Sequence, residues 1–275
     1  MTGFASESAL AIRLAVEASK LIREAAETGF ECIRKGSDDL VTSADLAVDA
    51  LLSAGIAAQF PEDGLLTEES GWTAGSSDRV WIIDPLDGTR AFARGEPGTC
   101  VHLALHCDGA LQLGVVADPM GGRVAWALRG EGAWESDEDG RAIMPLRVSR
   151  GRISSPRLVT SLSMSAARRD ALVSACGWIA GPRVRGAGYK MLTICRGEGD
   201  VYFSEHPLHV WDTAAPLMIA WEAGASASEL SGAEITFPLT SGWRHDGGLV
   251  VTAGLEHAPT VARLEEAWSA VQAGR

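Results

Sequence analysis

The stretch "WIIDPLDGTRAF", Trp81 to Phe92, runs an apolar segment into two aspartates, Asp84 and Asp87, on either side of Pro85. Proline fixes its own φ and carries no backbone N–H. Such a turn can aim both carboxylates, and the Leu86 carbonyl near them, into one space. Gly88 and Thr89 follow and open a helix through Phe92, whose leading N–H groups and dipole favour an anion. Two bare carboxylates about 4 Å apart repel by roughly 4 kcal/mol at an effective dielectric near 20. Paired carboxylates beside an anion site therefore call for a cation between them. With no His or Cys in the set, the donors are hard oxygens that suit Mg²⁺ better than Zn²⁺. Asp-Gly is also a common turn dipeptide, so for this stretch alone an ordinary turn is the competing reading.

Three further acidic segments bear on the choice. "LLTEES" ends a second apolar run on Glu68 and Glu69. "VWDTAAP" puts Asp212 at the start of a helix, where its other role is an N-cap accepting backbone N–H groups. Asp45 in "VTSAD" fits a capping box with Thr42. Each alone has a structural explanation; their joint occurrence points to a metal site.

The elements that must carry these residues are legible as periodicities. Leu10, Leu14, Ala18, Leu21, Ile22 and Ala25 recur at helical spacing and predict a helix from Ser6 to about Thr28. A second helix is predicted from Thr42 or Ser43 to about Gln59, then a strand over Val80 to Ile83. "CVHLALHCDG", "LQLGVVADPMGG" and "RVAWALRGEGAW" are β-rich runs broken by Asp-Gly, Pro and Gly-Gly, which predicts an antiparallel meander. After a basic connector near Arg150 to Arg157 the style changes. Strand "RLVTSL", a helix from about Ala166, "VRGAGYKM" leading into a helix, strand "GDVYFSE", helix "WDTAAPLMIAWEAG", strand "GGLVVTAG" and helix "APTVARLEEAWSAVQ" alternate. The expected division is an α+β lobe, residues 1–150, carrying most of the acids, and an α/β lobe, residues 151–275, carrying Asp212.

At 275 residues, 46% of them hydrophobic, the chain can bury one large core or two joined lobes. A net charge of −12 argues against a nucleic-acid polymer as partner, since such binding needs clustered Lys and Arg. No stretch matches a secretory leader or a membrane span, and the expectation is a cytoplasmic protein. Cys32, Cys100, Cys107, Cys176 and Cys195 include no C-x-x-C pair and are expected to be small core residues rather than disulfides or zinc ligands. His102 and His106 fall on one face of a meander strand and are expected in structural or surface roles.

Taken together, "DLVTSAD" (39–45), "TEES" (67–70), "DPLDGT" (84–89) and "WDTAAP" followed by "EAGA" (211–225) resemble, in order, the motifs of the inositol monophosphatase superfamily, Mg²⁺-dependent, lithium-sensitive phosphatases. The resemblance covers nearly the whole chain. It implies an α/β fold, the layered α/β/α/β/α sandwich of the inositol monophosphatase and fructose-1,6-bisphosphatase type. It also implies that Glu68, Asp84, the Leu86 carbonyl, Asp87 and Asp212 hold two or three Mg²⁺ ions. The N–H groups of Gly88 and Thr89 would receive phosphate, Thr89 paired with Asp45 would orient the attacking water, and Glu69 would help hold that water. A phosphoenzyme is not expected. Homodimers are common in the family.

The substrate signals are mixed. Arg90 and Phe92 resemble the 3'(2'),5'-bisphosphate nucleotidase branch, and Lys190 in "GAGYKM" stands where nucleotidases carry a lysine that suits a second phosphate. Glu205, seven residues before Asp212, matches instead the glutamate that contacts ring hydroxyls in inositol monophosphatases. Lys35 matches a loop lysine that covers the site in some members, and equally fits a solvated turn charge. The leading expectation is hydrolysis of 3'-phosphoadenosine 5'-phosphate, the alternatives being inositol 1-phosphate or another sugar or polyol phosphate, and, remotely, a non-catalytic metal- or phosphate-binding protein.

Overall fold

The computed structural model describes residues 3–34, 40–148, 153–239 and 242–273. The N-terminal periodicity is realised as α1, Ala5–Thr28, with Leu10, Leu14, Ala18 and Ile22 buried along one stripe. A short hairpin, β1 (Cys32–Arg34) and β2 (Leu40–Thr42), leads into α2, Ser43–Gln59. These two helices pack on each other and on the first sheet.

That sheet begins with β3 (Gly64–Thr67), β4 (Gly71–Thr73) and β5 (Val80–Asp87). After the single turn of α3 (Thr89–Phe92) come β6 (Cys100–Cys107), β7 (Ala110–Asp118), β8 (Arg123–Leu128), β9 (Ala133–Asp137) and β10 (Met144–Leu146). Among the described residues it has eight strands in the order β10-β9-β8-β7-β6-β5-β3-β4. Only the β3–β5 pairing is parallel, and the meander expected from the sequence is antiparallel from β5 through β10.

The C-terminal half runs β11 (Arg157–Ser161), α4 (Ala166–Cys176), β12 (Ile179–Val184), α5 (Ala187–Cys195) and β13 (Val201–Ser204). It continues with β14 (Leu208–His209), α6 (Val210–Glu222), β15 (Ser226–Ser228), β16 (Arg244–His245), β17 (Leu249–Thr252) and α7 (His257–Ala273). Five of these strands form a second sheet in the order β12-β11-β13-β17-β15, while β14 and β16 pair apart.

Alternation along the strands sorts the core into layers. Trp81 and Ile83 of β5 face α1 and α2, whereas Ile82 faces the opposite side with α5 and α6. Val159, Tyr202 and Val251 of the second sheet meet α5 and α6 from their far side, and Leu158, Val201, Phe203 and Val250 face α4 and α7. The order is helices, sheet, helices, sheet, helices: the expected α/β/α/β/α sandwich. Full burial of one such Ile or Val stabilises by about 1.5–3 kcal/mol, and on β5 Trp81, Ile82 and Ile83 are all at or below 1% exposure.

Several expectations change. Strand β5 does not stop at Ile83; it continues to Asp87, with an irregularity between the Asp84–His102 and Asp87–Cys100 pairs. Pro85 sits in that gap, where its missing N–H costs no ladder bond. Asp212 is not an N-cap: α6 begins at Val210, so Asp212 closes a capping box onto His209 from inside the first turn. Cys32 is exposed, unlike the other four cysteines, which are buried. The short strands β1, β2, β4, β10 and β14 to β16 escaped the sequence reading because two or three residues are too few to establish an alternation, and β12 because Gly181 and Pro182 interrupt it.

Helix α6 lies against β7 with almost no clearance. A Cβ added at Gly114 would stand 2.6 Å from the Ala215 carbonyl oxygen and 2.8 Å from Met218 Cβ. Gly114→Ala should therefore destabilise the protein by about 1–3 kcal/mol through overpacking, read from its urea denaturation midpoint. An unchanged midpoint would contradict this close approach.

Candidate active site

The site is assembled at the end of β5. Asp84 is fully buried and its Oδ1 accepts the Leu86 N–H at 3.0 Å. Asp84 Oδ2 has no hydrogen-bond partner among the described residues. Asp87 Oδ2 accepts the Gly188 N–H at 2.8 Å, which ties it to the first turn of α5. Asp212 Oδ2 accepts the His209 N–H at 2.6 Å, so the capping geometry that starts α6 also aims this carboxylate. Asp84, Asp87 and Asp212 each offer an oxygen within 4.8 Å of the others. Glu68, on the turn after β3, faces the same group.

The electrostatics follow from this convergence. Burial, then the charges of Asp212, Glu69 and Asp87, push the Glu68 carboxyl up to about 8. Burial and Asp87 raise Asp212 to about 7, against the opposing pull of the His209 N–H and the Lys190 ammonium. Asp84 is held well above the carboxylate range by burial and by Glu68, Asp87 and Asp212. A cluster of hard oxygens with an unpartnered buried atom and mutually raised carboxyls fits a divalent cation, whose charge would reverse each of these shifts. The acidic cluster can thus hold a metal.

Thr89 and Asp45 meet as expected. Thr89 Oγ1 lies 2.9 Å from Asp45 Oδ1 and 3.1 Å from the Leu86 carbonyl oxygen. Asp45 serves two functions at once: Oδ2 accepts the Thr42 N–H at 2.8 Å in the capping box of α2, while Oδ1 is left for Thr89. Burial raises Asp45 above its usual value. Gly88 precedes α3 at φ 88°, a left-handed conformation that glycine adopts without strain. Glu69 is half-buried beside Glu68. The turn bearing both glutamates is pinned by Ser70, whose N–H donates to Thr67 Oγ1 at 2.8 Å and whose hydroxyl donates to Asp49 of α2.

The residues singled out for substrate recognition scatter more widely. Arg90 is exposed on α3. Lys190 is buried, 8% exposed, with its ammonium 5.2 Å from the Tyr202 ring centroid and its charge acting on Asp212. Glu205 is paired with Arg168, whose Nη1 lies 2.9 and 3.0 Å from the two carboxylate oxygens. Lys35 falls in 35–39, outside the described residues.

Three participants escaped the sequence reading. Arg168 lies on α4, remote from Glu205 in sequence, and Gly188 contributes only a backbone N–H. His102, far from being a surface residue, is fully buried, with Nε2 3.5 Å from Asp87 Oδ2 and Nδ1 3.8 Å from Asp84 Oδ2. Its signal was present: on β6 it shares a face with Cys100 and Ala104, both buried in the same core.

Comparison with known proteins agrees with this architecture. The model of the inositol monophosphatase family matches residues 5–269. A histidinol-phosphatase of Mycobacterium tuberculosis is 34% identical over 280 residues, 93% of this chain and 96% of the relative. The Nus factor SuhB of Pasteurella multocida is 32% identical over 235 residues, 81% of this chain and 85% of the relative. Among solved structures, an IMPase of Thermotoga maritima superposes with a TM-score of 0.78 at 25% identity, covering 95% of this chain and 97% of its own. The SuhB protein of Bartonella henselae gives a TM-score of 0.80 at 22% identity, covering 96% and 98%, a likeness of fold. Fold and family together define a phosphatase, a phosphoric monoester hydrolase. The chain belongs to the inositol monophosphatase family.

The raised carboxyls give a signed prediction. Glu68, Asp84 and Asp212 keep protons in the folded, metal-free protein that the unfolded chain has already lost, so metal-free stability falls as pH rises from about 4 toward about 8. Metal binding needs these groups ionised and stabilises by mass action. The rise in Tm on adding Mg²⁺ should therefore be larger at about pH 8 than at about pH 6, measured by scanning calorimetry. A shift of equal size at both values would contradict the coupling.

Proposed function

We propose that this protein hydrolyses a small phosphate monoester with Mg²⁺ held by Glu68, Asp84, the Leu86 carbonyl, Asp87 and Asp212. The observation that carries the reading is the convergence of Asp84, Asp87 and Asp212 oxygens within 4.8 Å at a buried position. Bound magnesium supplies Lewis acidity that lowers the pKa of water and offsets charge on the phosphoryl oxygens. The protein's own part is positioning, which dominates phosphoryl transfer. The N–H groups of Gly88 and Thr89 precede the first intrahelical bond of α3, Ala91 N–H to Gly88 O, and receive the phosphate. Thr89 Oγ1, fixed between Asp45 and the Leu86 carbonyl, orients the attacking water, and Asp45 takes its proton through Thr89. Glu69 holds the same water from the other side. In this scheme residues 1–150 supply most ligands and residues 151–275 bring Asp212 to them.

The substrate we favour is the monophosphate of a small hydroxylated or amino alcohol, of the inositol 1-phosphate or histidinol phosphate kind. Glu205 is held by Arg168 and keeps lone pairs for substrate hydroxyl or amine groups. Lys190 is buried and its charge is directed at Asp212, which leaves it poorly placed for a second phosphate. A second reading, 3'-phosphoadenosine 5'-phosphate, is supported by the exposed Arg90 next to Thr89. Lithium sensitivity and a homodimer rest on the family resemblance, and a cytoplasmic location rests on the sequence expectation alone; among the described residues no helix is long and apolar enough to cross a membrane.

Phosphate release from inositol 1-phosphate, histidinol phosphate and 3'-phosphoadenosine 5'-phosphate, with and without Mg²⁺ and Li⁺, is the test. We expect Mg²⁺-dependent release that Li⁺ inhibits, greatest with one of the two singly phosphorylated esters. Release greatest with the bisphosphate would overturn the substrate assignment, and none from any ester would overturn the hydrolytic one. Asp87→Asn should lower kcat by at least about 10²-fold, because it removes a charged ligand of the metal that stabilises the transition-state charge.

A further inference from the structure

His102 touches both segments that bring the converging aspartates Asp84, Asp87 and Asp212 to the site, β5 and α6, yet nothing in the scheme above uses it. It is fully buried on β6, opposite Asp84 in the strand register. Its Nδ1 lies 3.2 Å from the Trp211 carbonyl oxygen. A carbonyl can only accept, so Nδ1 carries the proton and Nε2 is the bare nitrogen. That carbonyl belongs to the residue before Asp212, in the first turn of α6. The ring edges lie 3.8 Å from Asp84 Oδ2 and 3.5 Å from Asp87 Oδ2.

His102 is not itself a ligand in this arrangement. Gly188 closes over Nε2: a Cβ built there would fall 2.1 Å from that nitrogen and 2.9 Å from Cε1. Nε2 accordingly has no hydrogen-bond partner among the described residues. The same Gly188 donates its N–H to Asp87 Oδ2. The imidazole is thus wedged between β5, the first turn of α5 and the first turn of α6.

We propose that His102 is a positioning residue for the metal site, its Nδ1–H anchoring the Trp211 carbonyl and with it the first turn of α6 that carries Asp212. This rests on the proposed metal-site reading. Outer groups that orient metal ligands typically change affinity by about 10–100-fold when removed. A filler residue of the core would instead tolerate an apolar replacement of similar size.

The test is Mn²⁺ binding by titration calorimetry, with the Mg²⁺ concentration for half-maximal phosphate release measured alongside. Wild-type protein that binds no Mn²⁺ would overturn the metal-site reading itself. If wild type binds, His102→Leu should bind about 10–100-fold more weakly. His102→Asn keeps an N–H donor on its γ carbon toward Trp211 and should stay within about threefold of wild type. Gly188→Ala drives a methyl into Nε2 and should weaken binding about tenfold or more. The double variant Gly188→Ala/His102→Asn removes the struck atoms and should recover most of that loss. Wild-type affinity in a folded His102→Leu, equal losses in the Asn and Leu variants, or a double variant no better than Gly188→Ala would each overturn the inference while leaving the metal site standing. Should His102→Leu not fold, the Asn variant and the double variant decide it.

Discussion

Mutual repulsion among Glu68, Asp84, Asp87 and Asp212 is the constraint around which the molecule is organised. Two unit charges about 4 Å apart at an effective dielectric near 20 repel by roughly 4 kcal/mol, and burial weakens the screening further. The metal-free fold tolerates this by protonation, with Glu68 and Asp212 drawn up to about 8 and about 7. Lys190, buried beside them, supplies an opposing charge. A group so poised has one evident use: a divalent cation satisfies all of it at once.

Keeping such carboxylates in place requires mounts that do not yield. Each of the three aspartates is held by its own device: the Leu86 N–H for Asp84, the Gly188 N–H for Asp87, a capping box for Asp212. The layers then set the distances between devices. Helix α6 is buried between the two sheets and rests on β7 at Gly114, which brings its first turn over the end of β5. Main-chain amides suit this task because their positions are set by the helices and strands that contain them.

The residues proposed for substrate recognition obey a different logic. Lys190 carries a charge that sequence alone offers to any phosphate, but its burial directs that charge to Asp212 instead. Glu205 enters the structure as half of an ion pair, with Arg168 further packed over the Trp268 ring at 5.3 Å. A carboxylate held in this way accepts hydrogen bonds without bringing an uncompensated charge. That is the physical basis for favouring a polyol or amino alcohol over a second phosphate.

Much of this was legible in the chain itself. Helical spacing from Leu10 to Ile22, alternation in the meander and the four acidic motifs pointed to the layers and to the aspartates that converge, because periodicity and turn chemistry are local. Asp45 and Asp212 carried two readings each in the sequence, capping and catalytic. In the structure both carboxylates cap their helices, and Asp45 has its second oxygen left for Thr89, because a carboxylate has two oxygens to divide. Tertiary structure alone decided what His102, Lys190 and Arg168 do. Their partners are set by which strand pairs with which and which helix lies between the sheets. A side chain's charge is written in the sequence; what that charge faces depends on contacts between segments far apart in the chain.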